Sequence, residues 1–148
     1  MERCKLAYQY HKEGFNCAQA VVGAFLDLIQ LPKETVMAAA SGFGGGVGGS
    51  HAELCGAISG GVMALSLLNP HTDGADTDGK KHVYALAKEF RSRFEGIFGM
   101  TCCNDLLTAR CKASEKTPAA LEMGITGHCD IMIVTAVEII EGMLAEQA

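Results

Sequence analysis

Seven cysteines, at positions 4, 17, 55, 102, 103, 111 and 129, are the residues of this 148-residue chain best equipped for chemistry. A thiolate can attack a disulfide, take an oxidant or ligate a soft metal. Their number is odd, and a chain of this length does not need staples to fold, so a structural disulfide framework is not expected. The segment GFGGGVGGSHAELCGAISGG, from Gly42 to Gly61, puts a glycine-packed loop directly ahead of one of them, Cys55.

Two other uses of that loop are rejected. Gly44-x-Gly46-x-x-Gly49 matches the spacing of a dinucleotide fingerprint, which requires a preceding strand in a βαβ unit. The residues before it, TVMAAASGF, read as helix. A phosphate-binding P-loop needs Lys-Ser or Lys-Thr after the last glycine, and neither is present. The loop is therefore expected to serve the cysteine. Further on, Gly56 and Gly60 stand four apart in line with Ala52 and Ala64, a small-residue stripe that lets a second helix approach.

The elements that must position these thiols are helical nearly throughout. Residues 2–12 form a short amphipathic helix. Asn16 and Gln19 make a capping box for a helix through NCAQAVVGAFLDLIQ. Pro32 opens a third helix to about Ala40, with proline at its first position. Ser50 with Glu53 reads as a second capping box, for a helix from 50 to Leu68 that stops at Asn69-Pro70. A helix over about Asp78–Glu95 carries Val83, Leu86, Ala87, Phe90 and Phe94 on one face. Thr101 caps a short helix with Cys102 and Cys103, residues 110–127 are irregular with one turn at Pro118–Met123, and a last helix spans about His128–Ala145. No strand alternation and no repeat is visible. The expectation is one all-α domain over 1–148, a bundle of about five to seven helices with the glycine loop before the central one.

On this reading Cys17, Cys55, Cys103 and Cys129 sit at or near four helix N-termini. A helix start carries about half a positive charge and free N–H donors, and thiol pKa values there fall to roughly 3.5–7.5. If the four ends converge they build an electropositive pocket suited to reactive thiolates or to a thiolate-bound metal centre. His51, four residues before Cys55, is the candidate base. Cys4 and Cys111 have no such context and read as packing.

The rest of the composition excludes more than it proposes. A net charge of −5 with scattered Lys and Arg argues against a nucleic-acid partner. The apolar runs are too short for membrane insertion, and the N-terminal residues are charged and polar where a signal peptide would be apolar. A cytoplasmic protein is expected. His11, His71, His82 and His128 read as surface residues. Asp73, Asp76 and Asp78 lack the closing Glu of a calcium loop.

Cys17, the GFGGGVGG loop, Cys55-Gly56-Ala57-Ile58-Ser59-Gly60-Gly61, Phe98-Gly99-x-x-x-Cys103 and Cys129 together resemble the redox-active family labelled C_GCAxxG_C_C, small prokaryotic proteins with four signature cysteines. The resemblance spans nearly the whole chain and carries the four cysteines onto Cys17, Cys55, Cys103 and Cys129, with Cys102 a rival for the third position. It implies redox activity. A related branch joins such a domain to c-type haem and an iron–sulfur centre; this chain has no C-x-x-C-H for haem.

Three functions follow. The first is thiol–disulfide exchange, with Cys55 attacking, His51 assisting and Cys17, Cys103 or Cys129 resolving. The second is electron transfer by an iron–sulfur cluster or another thiolate-bound metal on the same four cysteines. The third is a non-catalytic helical interaction domain whose Gly56/Gly60 stripe packs on a second copy. The first leads, because the cysteines lack the paired spacing of a metal knuckle. An electron-exchanging partner protein is implied, and a homodimer fits a protein of this size.

Overall fold

The computed structural model describes residues 1–110 and 117–148, which excludes Cys111 and part of the irregular stretch. Among the described residues there are eight helices: α1 (Glu2–Lys12), α2 (Cys17–Gly23), α3 (Lys33–Ala40), α4 (Gly56–Leu68), α5 (Thr77–Phe98), α6 (Cys103–Ala109), α7 (Pro118–Met123) and α8 (His128–Gln147). The all-α class is as expected. The total exceeds five to seven because short α2, α6 and α7 each stand as separate segments.

Helix α8 is the hub. Every residue from Asp130 to Val137 is buried, as are Ile139, Ile140 and Met143, so it is apolar on all sides and needs neighbours on all sides. It takes α1, α2, α4, α5 and α7 as those neighbours. Helix α5 is the amphipathic counterpart, with Phe90, Phe94 and Phe98 buried at four-residue spacing and Tyr84 left in solvent. Among the described residues no helix is long and apolar enough to cross a membrane.

The tightest helix pair is α2 with α4. A Cβ on Gly60 would lie 2.4 Å from the Ala18 carbonyl oxygen, so the backbones touch. The small-residue stripe is thus satisfied inside the chain, and the interaction-domain reading loses the observation that motivated it. Ala52 is not part of the stripe, since it precedes the helix.

The expected boundaries hold where the signal is local. The Asn16–Gln19 box forms, with Asn16 Oδ1 accepting from the Gln19 amide at 2.9 Å and Gln19 Oε1 accepting from the Asn16 amide at 3.0 Å. Helix α2 nevertheless ends at Gly23 instead of running on to residue 30. From Ala24 to Leu26 the amides bond three residues back, tightening the chain into turns that bury Phe25 and Ile29. Pro32 is the N-cap of α3, one residue outside the helix.

Two expected caps fail. Ser50 does not cap α4: its Oγ donates to the Gly46 carbonyl at 2.7 Å, residues 51–54 are non-helical, and α4 begins at Gly56 with Cys55 as N-cap. Thr101 does not cap α6; Cys102 holds that place. Both helix starts are set by a contact between distant segments, described next.

Candidate functional site

Leu54 and Cys102 form an isolated antiparallel bridge. The Cys55 amide donates to the Thr101 carbonyl and the Cys103 amide to the Glu53 carbonyl, each at 2.9 Å, and the Asn104 amide reaches the His51 carbonyl at 2.9 Å. This clip seats the starts of α4 and α6 side by side and pulls residues 51–55 out of helical geometry. It also decides between the adjacent cysteines. The Cys102 thiol turns to the His51 and Ala52 carbonyls, at 3.9 and 3.7 Å, whereas Cys103 enters the cavity below.

The glycine loop is a short left-handed coil. Gly45, Gly46, Val47, Gly48 and Gly49 have φ of 59°, 69°, 67°, 62° and 68°. An L-residue in this region costs about 1–2 kcal/mol, which glycine avoids. Val47, β-branched and in the same region, bears that cost, and His51 follows at φ 62°. The coil lets the Gly45 amide face the Cys17 sulfur at 3.5 Å. The sequence-based reading that the loop serves a cysteine fits this geometry, although the thiol it contacts is Cys17.

Gly56 completes the seat for that sulfur. A Cβ there would lie 2.1 Å from Cys17 Sγ, so the start of α4 is open where Cys17 packs, one residue from Cys55. At the start of α8, the buried Asp130 carboxylate meets His11 Nδ1 at 2.6 Å and Lys12 Nζ at 2.9 Å. The end of α1 thereby pins the turn that carries Cys129.

Cys17, Cys55, Cys103 and Cys129 line one cavity of about 80 Å³, together with His51 and His128. They come from the starts of α2, α4, α6 and α8. Their exposure is graded: Cys55 and Cys103 are buried, Cys17 is intermediate and Cys129 is exposed. His51 Nδ1 lies 3.4 Å from Cys103 Sγ, so the histidine expected beside Cys55 partners Cys103 instead. His128, read from sequence as a surface residue, places Nδ1 in the interior with no hydrogen-bond partner among the described residues.

At Cys55, Cys103 and Cys129 burial outweighs the helix ends. Burial pushes the Cys55 thiol up to about 12, against the pull of the Ala57 and Ile58 amides, and the neighbouring Cys17 and Cys103 add to the rise. The expected lowering of this thiol is therefore reversed: the helix end is present, but loss of water outweighs it. Cys103 is also raised, by burial first and then by Cys17, Cys129 and Cys102. Cys129 is raised by burial, then by Cys17 and Asp130. Burial and then Arg110 lower the His128 pKa, favouring a neutral imidazole.

Cys55, Cys103 and Cys129 are disfavoured as isolated thiolates. Two changes relieve that: joining as a neutral disulfide, or binding a cation. For the second, the donor set has the right chemistry. Among the described residues, however, no group of three or more His, Cys, Asp or Glu side chains is placed to hold a metal ion. All the described cysteines are free thiols. Cys4 lies elsewhere, buried between α1 and α8. Asp76 caps α5 through the Gly79 amide, and Asp73 accepts from the Ala75 amide, both ordinary loop contacts.

Sequence reasoning missed the Gly45 amide and His128 as parts of this site. The left-handed loop was signalled only by its glycine density, and the position of His128 by its adjacency to Cys129.

The profile of the family described as "Putative redox-active protein (C_GCAxxG_C_C)" matches residues 15–143, most of the chain, and the chain belongs to that family. No curated protein and no solved structure matches it.

Proposed function

We propose that this member of the C_GCAxxG_C_C family is a thiol–disulfide exchange protein whose working groups are Cys17, Cys55, Cys103 and Cys129. One observation carries the reading: four thiols from four helix starts meet in one small cavity. Thiol–disulfide exchange needs thiols near one another and a route for the displaced proton. Cys55, buried and held as a neutral thiol, suits storage of a disulfide and not first attack. His51, exposed and 3.4 Å from Cys103, suits proton transfer with that thiol. The cytoplasm, where thiols are kept reduced, is the compartment that suits these free cysteines.

A thiolate-bound metal or iron–sulfur cluster is the competing use of the same sulfurs. The absence of a three-donor grouping among the described residues favours exchange over a single bound ion. The test uses protein purified without oxygen, with iron, sulfide, zinc and free thiols measured on one sample. The expected result is no stoichiometric metal, and loss of two thiols on treatment with a disulfide that dithiothreitol restores. Iron and sulfide in matching amounts would make the four cysteines ligands instead.

A further inference from the structure

The four thiols differ in position, and the differences give them an order. Cys129 is the exposed member, where an external disulfide can reach it. Cys55 is 7% exposed and lies at the opposite extreme. Cys17 is intermediate, and its sulfur occupies the space that the missing Gly56 side chain leaves beside Cys55. The Gly45 amide faces the same sulfur. Among the described residues no carboxylate lines this cavity, and the histidines there are His51 and His128.

We infer that Cys17 is the pivot of a three-sulfur relay, passing a disulfide inward from Cys129 to Cys55. The inference rests on the exchange reading above. Cys129 attacks one sulfur of an external disulfide, forming a mixed disulfide and releasing the first external thiolate. Cys17 then attacks the Cys129 sulfur, releasing the second external thiolate and leaving a Cys17–Cys129 disulfide. Cys55 attacks the Cys17 sulfur, forming Cys17–Cys55 and returning Cys129 as a thiol. The external disulfide gains two electrons and becomes two thiols, Cys17 and Cys55 lose two, and their two protons leave with the products or the solvent. Cys103 stays a thiol throughout, in contact with His51.

The relay places the buried Cys55 in the disulfide that is formed last and begins at the most exposed of the four cysteines. It explains why Gly56 is open and why the coil directs an amide at Cys17, features that a random cluster of buried thiols would not need.

The experiment reacts the reduced full chain with one equivalent of 5,5′-dithiobis(2-nitrobenzoate), follows release of the coloured thiolate, and maps the cysteines by alkylation and mass spectrometry. In the unaltered protein the expected result is two thiolates released per chain and a Cys17–Cys55 disulfide. In Cys55→Ser the product stops at Cys17–Cys129. In Cys17→Ser one thiolate is released promptly and the label stays on Cys129, with the second release slowed at least about tenfold. A Cys55–Cys103 or Cys103–Cys129 disulfide in the unaltered protein would overturn the relay while leaving the exchange reading intact. Failure of the unaltered chain to form any disulfide among the four would overturn the exchange reading itself. Because the mapping in the unaltered chain needs no substitution, the result does not depend on any variant folding.

Discussion

Cys4 and Cys55 are a matched pair in two different regions. Both are buried, at 1% and 7% exposure. Burial pushes both thiols up to about 12. Their company differs. Cys4 lies between α1 and α8 with its thiol 3.7 Å from the Val134 carbonyl oxygen and 3.7 Å from the Glu141 carboxylate. Cys55 opens onto a cavity whose walls include three other cysteines. Burial is the leading cause of how hard each thiol is to ionise, and says nothing of what it can react with. A neighbouring sulfur supplies what Cys4 lacks among the described residues, a partner with which it can become neutral and oxidised.

The largest effect expected from this contrast is on exchange. Cys55→Ala should remove the inner Cys17–Cys55 disulfide and leave the oxidised product at Cys17–Cys129, a loss of at least about tenfold in the yield of the inner disulfide. Cys4→Ala should leave that yield unchanged and lower stability by about 1–2 kcal/mol, the cost of a small buried group with a weak hydrogen bond. Disulfide mapping by alkylation and mass spectrometry, with denaturant unfolding, on the two variants checks this. Equal loss of exchange in both would mean that burial, and not company, is what matters.

Next in size is a backbone contrast. Gly56→Ala introduces a Cβ 2.1 Å from the Cys17 sulfur, at the junction of α2 and α4. Relief by displacement should cost about 1–3 kcal/mol and disturb exchange. Gly142 lies inside α8, and a Cβ added there would meet nothing within 4 Å, so Gly142→Ala should instead stabilise by up to about 1 kcal/mol, the ordinary helix preference for alanine. Thermal unfolding of both variants gives the comparison. Opposite signs are expected; a shared sign would mean that Gly56 is open for no reason connected with Cys17.

These two regions were not equally legible in the sequence. Helix periodicity, the Asn16–Gln19 box and the stop at Asn69-Pro70 are local, and they foretold α1, the start of α2 and the end of α4 correctly. The four signature cysteines could also be placed at helix starts from sequence. The cavity end was misread where the decisive contact is distant. Ser50 and Glu53 have the spacing of a capping box, yet the Leu54–Cys102 bridge holds residues 51–54 in another conformation, across nearly fifty residues of chain. A local pattern cannot see that bridge. The Cys55 thiol was misjudged for a related reason: a helix end can be read from sequence, whereas the loss of water that outweighs it appears only after packing.

The titration of the pair gives a smaller effect, with a defined sign. A thiol whose folded pKa stands above its unfolded value stabilises the fold as long as both states are protonated. That contribution is complete below about 9 and is lost as pH rises toward about 12. Each of Cys4 and Cys55 can add a slope of up to about 1.4 kcal/mol per pH unit in that window. In the oxidised protein Cys55 no longer titrates, so its share of the slope should vanish while that of Cys4 remains. Cys4→Ala should remove the other share. Unfolding measured at intervals from pH 8 to about 11, reduced and oxidised, separates them; a slope unaffected by oxidation would place Cys55 outside the disulfide.

The smallest expected effect concerns the coil that only the cavity end possesses. Val47 sits at φ 67° between glycines and is 43% exposed, so its side chain contributes little burial while its backbone is strained. Val47→Gly relieves about 1–2 kcal/mol of left-handed strain and gives back about 0.4–1 kcal/mol through the greater freedom of the unfolded chain. The net gain should be about 0.5–1 kcal/mol, readable as a higher denaturant midpoint. Because Val47 does not line the thiol cavity, the yield of the inner disulfide should stay the same. A fall in that yield with stability raised would show that the strain itself holds the Gly45 amide against Cys17, making the coil a working part of the relay and distinguishing it further from the unstrained packing around Cys4.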